Sequence, residues 1–436
     1  MPRRTPTRPG PCAPTSRWSI GAFEMADALP AGALRVRMYR VGFGDCFLVS
    51  VPGGAHGEIH RHILVDCGVH SQGNIGTMAQ VVADLRTVTG GKLALVVATH
   101  EHADHISGFG SFADDFARFE VGEVWMPWAM NDRDSQAVAS RTRRLAMVDD
   151  LTKHFAAVGA SPAARSVLDN LRGNDKALAV LRGGFGGGPK VRYFEAGMEP
   201  EIPPGLAGLS VRVLGPPRDE AFLKKMDPPA SQRFLRAGPG GKTVAGSEVR
   251  PFEKEWQLKP AAGRKAFRFS GAEERAFRKA VRESLDLEAL AFALDSAVNN
   301  TSLVLLFALR TKLLLFPGDA QYGNWKAWLD QEGSAELLPQ VSFLKVSHHG
   351  SFNATPRQAL EAMTPGAFVA MASTQSAPWK SIPQPALMQR LTEQTRGRSV
   401  RSDSLPVAQA PSGPPLSTPP AGFRPGPVWI DYVLRP

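Results

Sequence analysis

Thr99-His100-Glu101-His102-Ala103-Asp104-His105 packs three histidines and an aspartate into seven residues, at the spacing His-x-His-x-Asp-His. The whole chain has only 10 histidines in 436 residues, so a polar turn that gathered three of them by chance is a poor explanation. The stretch follows Leu93-Ala94-Leu95-Val96-Val97-Ala98, an apolar run that reads as a buried strand. Ligand-type side chains placed where a strand ends can converge on one point. Neutral imidazoles and carboxylates at this density suit zinc or a similar divalent ion.

Three further pieces share that design. Val341-Ser342-Phe343-Leu344-Lys345 runs into Val346-Ser347-His348-His349-Gly350-Ser351. Leu313-Leu314-Leu315-Phe316 runs into Pro317-Gly318-Asp319-Ala320, and Ile63-Leu64-Val65 runs into Asp66-Cys67-Gly68. A single aspartate after a strand is usually a turn former or a helix cap. Four such pieces together place the candidate ligands along one rim of a sheet.

In this order, Asp66, His100-x-His102-x-Asp104-His105, Asp319 and His348-His349 resemble the metallo-β-lactamase superfamily. The closer likeness is to the soluble hydrolase domain attached to bacterial competence (DNA-uptake) channel proteins of the ComEC type. Val41-Gly42-Phe43-Gly44-Asp45-Cys46, Asn299-Asn300-Thr301-Ser302-Leu303-Val304, Gly318-Asp319-Ala320 and Lys345 to Ser351 carry that likeness. It spans roughly residues 34 to 395, interrupted by long unmatched stretches.

The resemblance implies an α+β fold, a four-layer αββα sandwich with a mostly helical or irregular insertion. It implies one or two zinc ions, with manganese or iron as alternatives. Two ions ~3.5–4 Å apart share a hydroxide and polarise a phosphoryl or carbonyl oxygen. His100 and His102 would hold the first ion, and Asp104 and His105 the second. Asp319 would bridge both with its two oxygens. One of His348 and His349 would complete the second site, with His349 favoured as ligand and His348 facing the substrate. Asp66 would accept the N–H of a ligand histidine and fix its tautomer. Asp104, His348 and Asp66 are thus the candidate catalytic residues, and Asn300 and Ser351 the candidate substrate contacts.

Two departures from the family pattern matter. Most di-zinc members carry one more histidine before the bridging aspartate. Between His105 and Asp319 this chain has only His154, in a stretch that reads as a surface helix. Asn300, Ser302 or water would then face the first site, and the first ion would be weakly held. Ile382 stands where the competence subgroup commonly has a histidine before its last helix.

Residues 1–32 read as a disordered basic extension and residues 33–436 as the metallo-β-lactamase-like domain. Insertions are expected at about 130–190 and 219–297, with a Pro/Ser-rich irregular segment at about 396–425. Helices are expected at Met78–Val88, Asp104–Phe116, Ala272–Leu290, Gln321–Gln331, Thr355–Met363 and Pro385–Thr395. Val428–Leu434 alternates well enough for a last edge strand. Gly183 to Gly188 lacks the Lys-Ser/Thr of a phosphate loop and reads as a flexible loop. Cys12, Cys46 and Cys67 give an odd count and no disulfide framework. No apolar run approaches the length of a membrane span, so no membrane association and a cytoplasmic location are expected.

Lys plus Arg number 51 against 41 for Asp plus Glu, a formal charge of +10. That excess favours an anionic substrate, a small molecule or a nucleic acid. No basic-aromatic array for stacking single strands is visible. The leading expectation is hydrolysis of a phosphodiester or another anionic phosphoester by a metal-activated hydroxide. The rivals are hydrolysis of a carboxyl ester, thioester or lactam at the same site, an iron-dependent redox enzyme of the same fold, and a non-catalytic binding protein. Protein partners cannot be named from the sequence.

Overall fold

The apolar runs become strands buried on both faces, the pattern expected where helices cover the outside of a sheet. The structure, a computed structural model, describes residues 29–53, 56–71, 73–159, 161–172, 174–234, 236–237, 243–244, 287, 290–291, 293–376, 381–404 and 419–435. In chain order the strands are β1 (Leu34–Tyr39), β2 (Cys46–Gly53), β3 (Ile59–Cys67), β4 (Lys92–Val97), β5 (Glu120–Pro127), β6 (Lys190–Phe194), β7 (Leu209–Gly215), β8 (Arg236–Ala237), β9 (Thr243–Val244), β10 (Val304–Leu309), β11 (Lys312–Phe316), β12 (Val341–Lys345), β13 (Val369–Ala372), β14 (Ser399–Arg401), β15 (Phe423–Pro425) and β16 (Trp429–Leu434). The principal helices are α1 (Met78–Thr89), α2 (Ala103–Ser111), α3 (Ser135–Val158), α4 (Pro162–Asn170), α5 (Asp175–Ala179), α6 (Tyr322–Leu329), α7 (Arg357–Ala362) and α8 (Pro385–Gln394).

Two mixed sheets form the centre. One has the order β15-β16-β1-β2-β3-β4-β5-β6, the other β14-β13-β12-β11-β10-β7. Strand alternation sorts the side chains. Val36, Phe47, Val49, Ile63 and Val97 from the first sheet meet Leu305, Phe307, Phe316 and Phe343 from the second in one apolar layer. Leu48, Leu64 and Val96 face the other way, under Val81 and Leu85 of α1 and Ile106 and Phe109 of α2. Leu306, Leu315 and Leu344 pack beneath Trp325 and Trp328 of α6, Leu360 of α7 and Leu387 and Leu391 of α8. The layers are therefore helix, sheet, sheet, helix. A smaller apolar cluster outside them joins Val148, Leu151 and Phe155 of α3 to Val167 and Leu168 of α4 and to Ala291 and Val298.

The sheet topology aims the candidate ligands. β3, β4 and β5 run parallel, as do β11, β12 and β13, so the carboxyl ends within each set lie along one rim. Asp66 closes β3, the histidine-rich loop follows β4, Asp319 follows β11 and His348-His349 follow β12.

Several expectations need correction. β16 is not an edge strand: it pairs with β1 on one side and β15 on the other. Alternation reports two unlike faces, not the number of neighbours. The segment 396–425 contributes strands at both ends, β14 and β15, while its middle, 405–418, lies outside the described residues. The helix expected over 104–116 is interrupted at Phe112, where φ −121° and ψ 38° break the helical run. Residues 1–28 and most of 272–290 also lie outside the described residues. Among the described residues, no helix is long and apolar enough to cross a membrane.

Candidate metal centre

The backbone at the rim is tight. Gly68 lets α2 approach the end of β3: a Cβ there would stand 2.4 Å from the His105 nitrogen. Gly44, at φ +148°, lies so close that a Cβ would come 2.8 Å from the Asp104 oxygen. Asp66, His348 and His349 take left-handed conformations, at φ 57°, 46° and 53°. Each such non-glycine residue costs on the order of 1–3 kcal/mol and persists only where surrounding contacts enforce it.

Those contacts bring four side chains to one point. The ligand atoms of Asp104, His105, Asp319 and His349 all lie within 4.8 Å of one another, and all four residues are buried. His105 Nε2 is 3.0 Å from Asp319 Oδ2. His349 Nε2 is 3.2 Å from both Asp104 Oδ2 and Asp319 Oδ2. The outer nitrogens are anchored. His105 Nδ1 lies 2.8 Å from Asp66 Oδ2, and His349 Nδ1 lies 2.8 Å from the Ser373 carbonyl. Donation from each Nδ1 leaves Nε2 as the lone-pair nitrogen facing inward. His349 thus joins the group while His348 stays outside it, its Nε2 3.4 Å from Asn299 Nδ2.

Asp66 accepts three hydrogen bonds, from Thr99 N and Thr99 Oγ1 at 2.7 Å each and from His105. Thr99 Oγ1, having donated to Asp66, lies 3.1 Å from His100 Nδ1 and can accept its proton. His100 Nε2 then faces His102 Nδ1 at 3.1 Å. This pair lies beside the four-residue group: the His100 and His105 ring centres are 4.1 Å apart.

Electrostatics point to a cation. Burial lowers His105, yet the carboxylates of Asp319, Asp66 and Asp104 outweigh it and hold its imidazole well up. Burial likewise opposes His349, but Asp319 and Asp104 lift it to about 10. Burial alone would raise Asp104 and Asp319; the facing imidazoles hold both far below the usual carboxylate range. The carboxylates thus favour positive charge at this point, which a bound cation would supply in place of the ring protons. Asp104 Oδ1 and His105 Nε2 are buried without a hydrogen bond, which normally costs about 1–3 kcal/mol each. Imidazole nitrogens and carboxylate oxygens aimed at one point fit a divalent ion.

Asp319 Oδ2 is the oxygen that faces His105 and His349, while its Oδ1 accepts from Lys345 Nζ at 3.1 Å. Lys345 is buried, donates to the Gly318 carbonyl at 2.8 Å and also pairs with Asp45. Its ammonium is raised: burial lowers it, and Asp45 and Asp319 more than compensate. Asn300 does not face the site. Its Oδ1 accepts from Gln321 N and Asn324 N, and its Nδ2 donates to the carbonyls of Leu223 and Lys225. Ser302 Oγ accepts from Asp319 N and so holds that loop. Ser351 Oγ is engaged with Asn353. His154 sits on α3 against Phe155, and Cys67 packs in the apolar layer under α1. Sequence reasoning assigned no role to Lys345, Asp45, Thr99, Asn299 or Asp295. A lone lysine inside an apolar strand was the available signal for the first; nothing marked Asp295, whose Oδ1 lies 3.3 Å from His102 Nε2.

A cavity of about 220 Å³ opens beside this centre, lined by Glu101, His102, Arg141, Arg144, Arg172 and Asp175 among others. Arg141 Nε stands 3.5 Å from Glu101, and Arg144 also pairs with Glu101. A larger cavity of about 540 Å³, lined by Pro52, His56, Arg61 and Arg310 among others, includes none of the candidate ligands. The smaller one is the cavity that touches the chemistry.

Residues 39–175 match the family model described as Metallo-beta-lactamase superfamily. A search of curated proteins gave no match. Among solved structures, the chain is similar to the metallo-beta-lactamase fold protein YhfI from Bacillus subtilis at 10% identity, covering 84% of this chain and 95% of that one, with a TM-score of 0.35. It is similar to Igni18, a metallo hydrolase from the archaeon Ignicoccus hospitalis, at 10% identity, over 84% of this chain and 94% of that one, with a TM-score of 0.33. A beta-lactamase domain protein from Burkholderia ambifaria matches at 20% identity, over 43% of this chain and 50% of that one, with a TM-score of 0.22.

Proposed function

We propose that this chain, with its match to the metallo-beta-lactamase superfamily model, is a metal-dependent hydrolase acting on an anionic phosphoester. The buried group Asp104, His105, Asp319 and His349, next to an arginine-lined cavity, carries the reading. When bound there, a divalent cation polarises a phosphoryl oxygen and activates water. Asp104, His105, Asp319 and His349 would hold it, with His100 and His102 holding a second.

The chain's own residues supply the rest. Lys345 keeps Asp319 turned so that Oδ2 faces inward. Asp66 and the Ser373 carbonyl hold His105 and His349 in the tautomer that presents Nε2. His348 is pushed down to about 4 by burial, so it is neutral at physiological pH and suited to face the substrate as a hydrogen-bonding group. Three guanidinium groups against two carboxylates in the adjoining cavity, together with the +10 formal charge, support an anionic substrate over a neutral ester.

The test is a panel of generic phosphodiesters, phosphomonoesters, carboxyl esters and thioesters, with zinc or manganese supplied. We expect cleavage of a phosphoester, its loss on chelation, and a fall of about a hundredfold or more for Asp319→Ala. Metal-dependent cleavage confined to carboxyl esters or thioesters would overturn the substrate class, and chelator-insensitive activity would overturn the mechanism.

A further inference from the structure

The four clustered histidines each turn one ring nitrogen inward and one outward. Three of the outward nitrogens meet an oxygen supplied by the sandwich itself. His100 Nδ1 meets Thr99 Oγ1 at 3.1 Å, His105 Nδ1 meets Asp66 Oδ2 at 2.8 Å, and His349 Nδ1 meets the Ser373 carbonyl at 2.8 Å. His102 is built the other way round. Its Nδ1 faces His100, and its outward Nε2 has Asp295 Oδ1 at 3.3 Å without an aligned hydrogen bond. No strand of the sandwich carries Asp295. It sits on the helical residues 293–299, which close the 219–297 insertion.

Asp295 is itself held in place. Asn170 Nδ2 donates to its Oδ1 at 3.4 Å, and Asn170 Oδ1 accepts from Asp104 N at 3.4 Å. Asn170 ends α4, in the other insertion. Ala291 and Val298 pack against Val148, Leu151 and Phe155 of α3 and Val167 and Leu168 of α4. The two insertions therefore share one apolar cluster, and from it they grip the histidine loop at several points. Asn174 Nδ2 donates to the Glu101 carbonyl at 2.6 Å, Arg141 and Arg144 pair with the Glu101 carboxylate, and Asp295 reaches His102.

We propose that Asp295 is the positioning residue of the first metal position: it orients His102 from outside, so that the paired insertions, and not the sandwich, complete that position. The inference rests on the metal-dependent reading above. Asp295 does not act as a ligand, because it faces the outward nitrogen and the His102 ring stands between it and any shared ion. Acceptors behind metal-bound histidines fix ring and tautomer, and removing one typically costs 10–100-fold in metal affinity. This gives the chain a substitute for the absent extra histidine. The histidine pair that lacks a third sandwich ligand is stiffened by a carboxylate behind one of its members.

The test uses the full chain loaded with Co2+, read by calorimetric stoichiometry and by the visible absorption of each bound ion. The wild type is expected to take two ions. Asp295→Ala should weaken one of them by about 10–100-fold and change its absorption, leaving the other intact. Asp295→Asn, which keeps an acceptor oxygen and the shape, should retain most of the affinity. In a His102→Ala background, Asp295→Ala should add nothing, since its effect passes through that ring. The inference is overturned if Asp295→Ala binds both ions as the wild type does. It is equally overturned if both ions are lost together with cooperative melting, which would make Asp295 a scaffold residue. A wild type that takes no Co2+ at all defeats the metal-dependent reading itself, and that outcome is visible without any variant.

Discussion

Lys345 carries more of the site's balance than any ligand. Its buried ammonium faces Asp45 and Asp319 and donates to the Gly318 carbonyl. Breaking one side of a buried ion pair typically costs about 3–5 kcal/mol, because the other charge is left uncompensated. Lys345→Met is therefore expected to lower stability by about that much in chelator, measured by denaturant melts. Added zinc should narrow the gap, since a cation supplies part of the missing charge. An unchanged melt in chelator would show that Asp45 and Asp319 do not depend on Lys345. At this scale the sequence was legible wherever chemistry restricts the choice of residue. Asp104, His105, Asp319 and His349 could be singled out because few side chains suit a divalent ion, and the structure brings these four together. Asn300 misled because an Asn-Asn pair does not say which member faces the site; Asn299 lies near His348 while Asn300 braces the turn after β11. Asp295 was invisible because its meaning depends on a contact with His102, 193 residues earlier in the chain.

Among elements, β1 is tied most firmly. Arg37 is fully buried; its Nε and Nη2 donate to Asp431 of β16 at 2.7 and 2.9 Å, and its Nη1 donates to Asp84 of α1 at 2.7 Å. Its guanidinium lies over the Trp429 ring at 3.8 Å. One side chain therefore links two strands and a helix. Arg37→Met should destabilise the protein by about 3 kcal/mol, because Asp431 is left with the longer contact with Arg35 and Asp84 with the Tyr39 hydroxyl, with metal affinity unchanged because the network is remote from the rim. Denaturant melts and metal titration together check it; a loss of metal binding would mean that β1 transmits to the centre. Strand and helix identities were largely readable from apolar periodicity, since burial on one or two faces leaves its mark on each segment. Pairing was not. Nothing local in Val428–Leu434 announces that β15 covers its free side.

At the scale of the molecule, metal and fold should be linked. Ligands that meet only in the folded chain make binding energy available to stability, about 2.7 kcal/mol when free ion stands at a hundred times its Kd. Chelation should then lower Tm by a few degrees, an effect that Asp104→Ala removes; calorimetric scans of both forms check it. The four-layer architecture was foreseeable through the family resemblance that the motif order carries, from Asp66 to His349. The union of the two insertions was not, for their shared cluster has no counterpart in the motifs. The register that sets Leu34 opposite Leu434 has a consequence for synthesis. As the chain leaves the ribosome, β1 and β2 can pair long before the segment that will flank β1 on its other side is made. That side of the larger sheet stays open until two stretches far apart in the chain meet, so this protein closes like a clasp.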